Sequence, residues 1–556
     1  MMRSILKQSK QLNILENFPD KDEPRPEQVQ IVNGIQDAIN KEYKFIIIQA
    51  PTGSGKSHVA ATLANSSNHP HHRITNLVDS YDIAKGDYLN GFIHEEEVLG
   101  YDPYGCAVLT VTKSLQNQYK SLFDHADVMK GKQNYVCKVD DDFDCDMAPC
   151  LLTPRILEDC KSKNRCPMLN ARRNAWKSRF GVFNYSAFLT MPDFLMRRQY
   201  FICDEASELE DELVKHYSCS IEYGKLKLPE LGVDKLRSNL NGDSHGWLTD
   251  LSDVLGAKLK ELVSEMDKHK KNKRVLKGKM VMVRFYKNLH EKVNTVLKNW
   301  YKAEYVTEIN NDSATFTPLY VNVLAQDFFK WSNTVILMSG TIIDHETFAS
   351  TLGIEKDQYK YIEIDSDFDA AKSPIYCDSQ TRVNYKNMST VLPKLVDKAV
   401  KICDHFGEEK GIIHTHSFKI TEALVSKIKK NGRYLIREAG MTNELLLEQH
   451  HLREDGTVLI SPSLGFGTDL KDGFGRFCII MKTPYLPLSS ERIKKLAKRN
   501  QKWYEMKALI NLVQMCGRTT RSKEDYSDTF ILDAAAIDLI KRNKKNIPKY
   551  FMDRIH

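Results

Sequence analysis

The chain has 556 residues with a net charge of +7, and 42% of its residues are hydrophobic and 28% are charged. This length and composition predict about three or four domains of ~150 residues in a soluble protein, and they exclude a membrane-spanning chain, because no apolar run approaches the ~20 residues that a span needs. Twelve cysteines are too few for a disulfide scaffold, and the N-terminal segment lacks an apolar signal core, so we expect a protein of the bacterial or virus-infected host cytosol, or of the nucleus in a eukaryote.

The segment from Lys44 to Ala64 predicts a buried strand, a glycine-rich turn and a helix. Within it, Ala50 to Ser57 has the pattern A-x-x-G-x-G-K-S, a variant of the phosphate loop. The glycines let the backbone curl its N–H groups around phosphate oxygens, Lys56 reaches the β- and γ-phosphates, and the Ser57 hydroxyl ligates Mg²⁺. The alternative is a chance glycine-rich turn, and the flanking strand and helix argue against it. The expected ATP and Mg²⁺ contacts in this loop are Thr52, Gly53, Ser54, Gly55, Lys56 and Ser57.

Five of the twelve cysteines lie in a short stretch between Asn134 and Met168, namely Cys137, Cys145, Cys150, Cys160 and Cys166. Four thiolates bind one zinc ion or one 4Fe–4S cluster, so this stretch predicts a zinc site, an iron–sulfur site or buried reduced thiols. The absence of a C-x-x-C pair argues against the usual zinc site, and the three alternatives stay open on the residues alone.

An acidic pair follows the strand pattern from Tyr200 to Cys203. In a phosphate-loop protein, Asp204 would hold Mg²⁺ through water and Glu205 would polarise the attacking water. The same pair also suits the start of a helix, where carboxylates are favoured. The phosphate loop upstream favours the catalytic interpretation.

Two helical patterns separated by a basic stretch lie between Asp211 and Thr334. Apolar residues recur at helical spacing from Leu248 to Met266 and again from Phe285 to Trp300. The intervening segment reads K-H-K-K-N-K-R-V-L-K-G-K. We therefore expect a helical hairpin with a basic tip that either faces DNA or is simply solvated.

The second half contains another α/β series, with strand patterns at 334–342, 410–418 and 456–462 and a glycine-rich loop that ends at Asp469. A Q-x-x-G-R-x-x-R motif follows, and on a helix Gln514, Arg518 and Arg521 would lie on one face. The two arginines would then meet a γ-phosphate as an arginine finger in cis. The alternative is a solvated basic helix face.

Taken in order, these motifs resemble those of superfamily 2 helicases over nearly the whole chain, and within them the iron–sulfur XPD/DinG family. R-P-E-Q-V-Q-I-V, with Arg25 and Gln28, resembles the adenine-reading motif, C-A-V-L-T-V-T-K-S-L-Q-N-Q-Y the DNA-contacting motif, and G-V-F-N-Y-S-A-F-L the N-Y element. The stretch from Asp469 to Asp533 resembles the C-terminal half of DinG-type proteins. The chain departs from the family at D-E-A-S, where Ser207 replaces histidine, and at 465–469, where the glutamate of S-E-G-x-D is missing.

The resemblance implies an α/β fold of two tandem RecA-like parallel-sheet motor domains with ATP between them. The first motor would be interrupted by an iron–sulfur insertion and a helical arch. The expected boundaries are 1–125, 176–220 and 323–372 for the first motor, 126–175 for the iron–sulfur domain, 221–322 for the arch and 373–556 for the second motor. With the core beginning near Pro24, we expect no added nuclease domain.

The resemblance also implies the site residues. A 4Fe–4S cluster would be bound by Cys137, Cys150, Cys160 and Cys166, with Cys145 as the spare thiol and exchange of Cys145 for Cys150 as the alternative. The catalytic set would be Lys56, Asp204, Glu205, Gln514, Arg518 and Arg521, while Arg25, Gln28 and Asp469 would join the phosphate loop in binding ATP and Mg²⁺. Expected phosphate contacts to DNA are Lys113, Ser114, Gln116, Thr415 and Ser417, and Tyr185 would stack on a base.

We therefore predict an ATP-dependent DNA helicase that acts as a monomer on single-stranded and forked DNA, with R-loops as a further substrate and no membrane partner. The resemblance implies 5′ to 3′ translocation, which the residues themselves do not indicate. A nucleic-acid-stimulated ATPase that remodels R-loops or protein–DNA complexes without processive unwinding shares every motif and is the alternative. A small-molecule kinase would not need the second α/β half, and a cluster-bearing sensor with an inactive motor would not need Lys56, Asp204 and Glu205.

Overall fold

The computed structural model describes residues 13–19, 23–70, 102–151, 154–191, 195–226, 243–268, 273–366, 368–378, 380–384, 386–428, 432–436, 441–462, 470, 473–520 and 525–556. The chain divides into two compact units. The first consists of Met1–Ile47, Ser57–Met338 and Ala349–Lys360, and the second of Ile48–Lys56, Ser339–Phe348 and Tyr361–His556. The predicted division into six domain segments is finer than this one and stays a prediction.

The strands in the described residues are β1 (Phe45–Gln49), β2 (Cys106–Thr110), β3 (Asp127–Met129), β4 (Phe180–Asn184), β5 (Arg198–Asp204), β6 (Cys219–Glu222), β7 (Tyr305–Ile309), β8 (Ser313–Pro318), β9 (Ser332–Ser339), β10 (Tyr359–Glu363), β11 (Ile375–Cys377), β12 (Gly411–His414), β13 (Tyr434–Ile436), β14 (Val458–Ser461), β15 (Phe477–Ile480) and β16 (Asp528–Ile531).

The α-helices are α1 (Pro26–Asn40), α2 (Lys56–Ser66), α3 (Lys113–Leu122), α4 (Pro154–Ser162), α5 (Pro167–Lys177), α6 (Tyr185–Leu189), α7 (Leu209–Tyr217), α8 (Tyr223–Leu226), α9 (Ser244–Lys268), α10 (Lys273–Asn299), α11 (Asn322–Phe329), α12 (His345–Thr351), α13 (Met388–His405), α14 (Phe418–Lys427), α15 (Asn443–Leu452), α16 (Glu491–Arg499), α17 (Gln501–Cys516), α18 (Ala534–Arg542) and α19 (Lys549–Met552). None of the helices among these described residues is long and apolar enough to cross a membrane.

A seven-stranded sheet carries the motifs of the first half, with the strand order β10-β1-β9-β5-β2-β4-β3. The neighbours from β9 to β3 pair in parallel. Every residue of β1 and of β2 is buried. Strands of a parallel sheet are covered on both faces, and this explains why their sequences are continuous apolar runs rather than alternating patterns.

A six-stranded sheet carries the motifs of the second half, with the order β11-β16-β15-β12-β14-β13 and parallel pairing throughout. The predicted α/β fold with two parallel sheets is confirmed. In each sheet, the carboxyl ends of the parallel strands lie along one edge of that sheet. Ligands of open parallel sheets bind at such an edge.

Two insertions interrupt the first series of strands. The cysteine-rich stretch lies between β3 and β4 and contains α4 and α5. The helices α9 and α10 lie between β6 and β7 and pack against each other, with the Ser252 hydroxyl donating to Oδ1 of Asn294 over 2.8 Å. The predicted helical hairpin is therefore confirmed, while residues 269–272 of its basic tip lie outside the described part of the chain.

The hairpin stands on a small antiparallel sheet with the order β6-β8-β7. Burial alternates along β6 and β8, as expected for strands with one face against a core. That core is shared: Phe316 of β8 packs in one apolar cluster with Leu251 and Val293 of the hairpin and with Cys137 and Phe143 of the cysteine stretch.

Candidate nucleotide site and cysteine-lined pocket

The phosphate loop joins the carboxyl end of β1 to the start of α2. Gly53 and Gly55 have φ angles of 87° and 83°, a region that residues with a Cβ rarely adopt, so both positions require glycine. Thr52 and Gly53 are exposed, whereas the Ser54 hydroxyl is buried and has no hydrogen-bond partner in the described residues. A loop with this curvature and an unpaired buried hydroxyl fits a bound phosphate group.

Lys56 folds back over its own loop. Its Nζ donates to the carbonyl oxygens of Ala50 and Pro51 at 3.1 and 3.3 Å. These carbonyls hold the ammonium group at the loop, which is where a phosphate oxygen would replace them as the acceptor. The position agrees with the role predicted for Lys56, which stays a prediction.

Both oxygens of the Asp204 carboxylate accept a hydrogen bond. The Glu205 main-chain N–H donates to Oδ1 over 3.1 Å, and the Tyr119 hydroxyl donates to Oδ2 over 2.9 Å. The side chain of Ser57, the first residue after the phosphate-loop lysine, acts on the same phenol and lowers its pKa. The two residues predicted to hold Mg²⁺, Ser57 and Asp204, thus both act on one phenol. Sequence reasoning missed Tyr119, because no motif marks this residue within S-L-Q-N-Q-Y.

Burial is the main reason that the pKa of Tyr119 lies well above its ordinary value, and the charge of Asp204 acts in the same direction. The phenol therefore stays protonated and acts as a donor to the carboxylate.

Glu205 has an uncommon backbone conformation. Its φ and ψ angles are 54° and 50°, in the left-handed region that a residue other than glycine rarely adopts. Such conformations cost of order 1–3 kcal/mol and gather at functional sites. The strained turn after β5 agrees with the role predicted for Glu205, which stays a prediction.

The proposed adenine-reading residues lie at the start of α1. Gln28 is buried, and its Oε1 accepts a hydrogen bond of 2.8 Å from the main-chain N–H of Arg25. Gln28 therefore caps the helix with its amide oxygen, while the Arg25 side chain is exposed. Recognition of adenine by these two residues stays a prediction.

The Q-x-x-G-R-x-x-R motif does not form the single helix face that we expected. Helix α17 ends at Cys516, and the N–H of Gly517 closes its last turn on the carbonyl of Val513 at 3.1 Å. Glycine is favoured immediately after a helix, so Gln514 lies in the last turn whereas Arg518 follows the helix. Arg518 is buried, and Arg521 and Asp469 lie outside the described residues.

A buried histidine lies close to Arg518. His414, the last residue of β12, is 2% exposed, and its Nε2 has no hydrogen-bond partner within the described ranges. Burial lowers the pKa of His414 to about 3, and the positive charge of Arg518 contributes to the same shift. The imidazole is therefore neutral at physiological pH.

Three of the six predicted DNA contacts are buried, and their role at DNA stays a prediction. Gln116 donates its amide to the carbonyl of Met129 over 2.9 Å, and the Thr415 hydroxyl pairs with that of Thr421 over 2.6 Å. The ring of Tyr185 is fully buried, and its hydroxyl donates to the main-chain carbonyl of Asp204 over 3.2 Å, so no base can stack on it in this arrangement. Lys113 and Ser114 are exposed at the start of α3, and Ser417 is half-buried before α14.

All five cysteines of the insertion line one pocket. The pocket encloses about 440 Å³ of space, part of it open to solvent, and its lining consists of Cys137, Lys138, Val139, Cys145, Ala148, Cys150, Leu157, Cys160, Cys166, Met168 and Leu169. The five thiols are separated by as many as 29 positions in the sequence, so only the fold brings them together. Cys145, the predicted spare, lies among the other four thiols, and Cys166 contributes to the raised pKa of its thiol.

Burial and neighbouring thiols raise the pKa values of Cys145 and Cys150 in the pocket. Burial and the neighbouring thiols Cys166 and Cys137 raise the pKa of Cys145 to about 12. Burial and the thiols Cys137, Cys166 and Cys160 raise the pKa of Cys150 to about 11. Thiolates gathered this closely need positive charge to coexist, and a metal centre supplies that charge and deprotonates its ligands outright.

Comparison with known proteins adds two family models. Residues 400–554 match the model described as helicase C-terminal domain, and residues 21–132 match the model described as type III restriction enzyme, res subunit. No curated protein matches the chain.

Solved structures share the fold of nearly the whole chain. The structure named XPD_Helicase is 15% identical, with a TM-score of 0.54, and the match covers 94% of this chain and 98% of that one. The structure of S. tokodaii Xpd4 is also 15% identical, with a TM-score of 0.52 and coverage of 96% and 99%. The chain thus contains a segment that matches a helicase C-terminal domain, and nearly its whole length shares the fold of the solved XPD structures.

Proposed function

We propose that the chain is a DNA helicase that hydrolyses ATP to translocate 5′ to 3′ on single-stranded DNA and to unwind forked duplexes. The observation that carries this proposal is the joint presence of a nucleotide-type loop after β1 and an oriented Asp204–Glu205 pair after β5, in a chain that also matches a helicase C-terminal domain. Parallel sheets bring the carboxyl ends of such strands to one edge, so both motifs serve one nucleotide.

Each residue at this edge of the sheet would have its own role in ATP hydrolysis. Lys56 would exchange its carbonyl partners for β- and γ-phosphate oxygens, and the turn around Gly53 and Gly55 would direct N–H groups at the same phosphates. Ser57 and Asp204 would hold Mg²⁺, which supplies positive charge against the phosphates. Glu205 would orient the attacking water and accept its proton.

DNA binding would fall to the exposed residues of the predicted set. Lys113 and Ser114, at the exposed start of α3, would contact backbone phosphates, as would Ser417. Such contacts depend on salt and little on sequence, as a translocating motor requires.

The test compares wild-type protein with Lys56→Ala in two assays: ATPase stimulation by single-stranded DNA, and displacement of a strand from duplexes with a 5′ or a 3′ overhang. We expect stimulated ATPase and displacement from the 5′ overhang in wild type, and neither in Lys56→Ala. The matched control is Lys41→Ala, an exposed lysine paired with Asp37, which should behave as wild type.

Each failure of this test has its own meaning. Stimulated ATPase without strand displacement would replace the helicase by the remodelling ATPase that shares its motifs. An ATPase rate that single-stranded DNA does not stimulate would overturn the motor mechanism itself, and so would full activity in Lys56→Ala.

We further propose that the cysteine-lined pocket holds a 4Fe–4S cluster bound by Cys137, Cys150, Cys160 and Cys166. Five thiols facing one cavity support a metal centre with several thiolate ligands. The choice of a 4Fe–4S cluster over a single zinc ion rests on the resemblance of the motifs to the XPD/DinG family. The cluster would join the segments of the insertion, and no redox step is assigned to it.

A further inference from the structure

Three polar groups, those of Tyr119, Asp204 and Ser57, act on one another near the phosphate loop. The Tyr119 hydroxyl donates to Oδ2 of Asp204 over 2.9 Å, and the side chain of Ser57 lowers the pKa of the same phenol. The phenol is fully buried and lies edge-on to Phe180, with ring centroids 6.1 Å apart. Its position is fixed by packing, so the oxygen cannot move far from either partner.

The hydrogen-bond donors and acceptors among these three side chains can be assigned without conflict. A tyrosine hydroxyl has one hydrogen to donate, and here it goes to the carboxylate, so towards Ser57 the Tyr119 oxygen must accept. A serine hydroxyl that binds a cation through its lone pair must direct its hydrogen elsewhere. The Tyr119 oxygen is the acceptor that this hydrogen meets.

The second oxygen of Asp204 is also fixed, because the N–H of Glu205 donates to Oδ1. The carboxylate is thus held in one rotation, by a buried side chain on one oxygen and by the backbone on the other. Ligands of a Mg²⁺ site need this kind of orientation, because Mg²⁺ demands near-ideal octahedral geometry.

We propose that Tyr119 is a positioning residue of the Mg²⁺ site, which orients both the Ser57 hydroxyl and the Asp204 carboxylate through one phenol oxygen. The proposal rests on the proposed ATPase function. It predicts that loss of the hydroxyl weakens the binding of the cation and leaves the binding of the nucleotide unchanged, because no nucleotide contact is removed.

The experiment uses the full chain and the variant Tyr119→Phe, which removes one oxygen and keeps the ring. Binding of a fluorescent ATP analogue is measured first in EDTA and then across a Mg²⁺ titration, and Mn²⁺ in the nucleotide complex is followed by electron paramagnetic resonance. We expect unchanged nucleotide affinity in EDTA, a roughly tenfold higher Mg²⁺ concentration at half-saturation, and an altered Mn²⁺ spectrum, as for a lost hydrogen bond to a charged group.

The matched control is Tyr104→Phe, which also removes one buried hydroxyl, in this case one that donates to the carbonyl of Trp176 over 2.6 Å. It should lower the thermal midpoint without moving the Mg²⁺ titration. A second arm places Tyr119→Phe in an Asp204→Asn background, where the further effect on metal affinity should shrink because the charged acceptor is already gone.

Three results would overturn the inference: an unchanged Mg²⁺ titration in folded Tyr119→Phe, an equal shift in Tyr104→Phe, or a loss of nucleotide affinity in EDTA. Failure of the proposed function is seen separately, since it would appear as wild-type protein without DNA-stimulated ATPase. If Tyr119→Phe fails to fold, Tyr119→Met in the same titration provides a variant without the hydroxyl whose flexible side chain adapts to the buried space.

Discussion

The main-chain N–H of Glu205 donates to the side chain of Asp204 across 3.1 Å, while Glu205 itself lies in the left-handed region. The turn after β5 therefore orients one carboxylate through the backbone of the next residue. A substitution at Glu205 that keeps the backbone geometry should leave Asp204 in place and remove only the second carboxylate.

Glu205→Gln should lower the rate of ATP hydrolysis by roughly 100-fold or more while Mg²⁺–ATP still binds, because a general base contributes about 10²–10⁴ in rate. Single-turnover hydrolysis and nucleotide binding, measured on the same sample, separate the two effects. Glu222→Gln is the control, since Glu222 is an exposed residue of β6 paired with Lys225. Hydrolysis at the wild-type rate in Glu205→Gln would exclude the proposed role.

The cysteines predict a graded pattern of iron loss. Cys166→Ser should lose the cluster, seen as loss of iron, of sulfide and of the broad visible absorbance, because serine is a poor ligand for a thiolate site. Cys145→Ser should keep all three, because four ligands remain. Zinc in place of iron and sulfide in the wild-type protein would contradict the cluster, and loss of iron in Cys145→Ser with retention in Cys150→Ser would exchange the two ligands.

The burial of His414 predicts a dependence of stability on acidity. Its pKa lies near 3 in the fold, below the ordinary value of 6.5, so the unfolded chain binds the extra proton first as the pH falls. The stability from the neutral form is complete above about pH 6.5 and is lost towards pH 3, by about 1.4 kcal/mol per pH unit for one such group. The thermal midpoint of His414→Leu should therefore fall less between pH 6.5 and pH 4.5 than that of wild type. Equal slopes in wild type and His414→Leu would refute the effect.

Gly456 predicts a steric limit at the start of β14. A Cβ at this position would overlap the main-chain carbonyl of Glu408, so Gly456→Ala forces the backbone apart. We expect a loss of about 1–3 kcal/mol, measured as a lower thermal or denaturant midpoint. The control is Gly278→Ala within α10, where a Cβ meets open space and alanine should stabilise the helix by about 0.5–1 kcal/mol. The same midpoint in both variants would contradict this explanation.

The proposed contact of Lys113 with a DNA phosphate predicts how the affinity for single-stranded DNA depends on salt. Removing one phosphate contact lowers the affinity for single-stranded DNA at low salt and reduces the slope of log affinity against log salt by about 0.7. Lys113→Ala should show both changes for any sequence of the strand, in fluorescence anisotropy at several salt concentrations. Lys41→Ala should show neither, and a slope in Lys113→Ala equal to that of wild type would remove this lysine from the DNA interface.

The local features of the fold were predictable from the sequence, and the contacts between distant segments were not. The phosphate loop, the strand before Asp204 and the helical hairpin were predicted because a few adjacent residues define each of them. The contact of Tyr119 with Asp204 spans 85 positions, and nothing in the local pattern distinguishes this tyrosine from a core residue.

The same limit applies to burial within a motif. Tyr185, Gln116 and Thr415 belong to motifs associated with DNA, but a motif does not reveal which of its side chains are buried. Gly517 indicated that α17 ends at Cys516, because glycine is favoured immediately after a helix. Our prediction relied on the spacing of the arginines instead and extended the helix too far.

The cysteine stretch and the hairpin, separated by some seventy residues of chain, share one apolar core. Phe143 lies under the ammonium group of Lys277 at 5.9 Å, and Asp146 forms an ion pair of 3.7 Å with Arg284. A change in the packing of the cysteine stretch would therefore reach the hairpin. Under the proposed assignment of a cluster to the pocket, a chain without it would expose the hairpin to proteases, and limited proteolysis within 273–299 would report whether the pocket is filled.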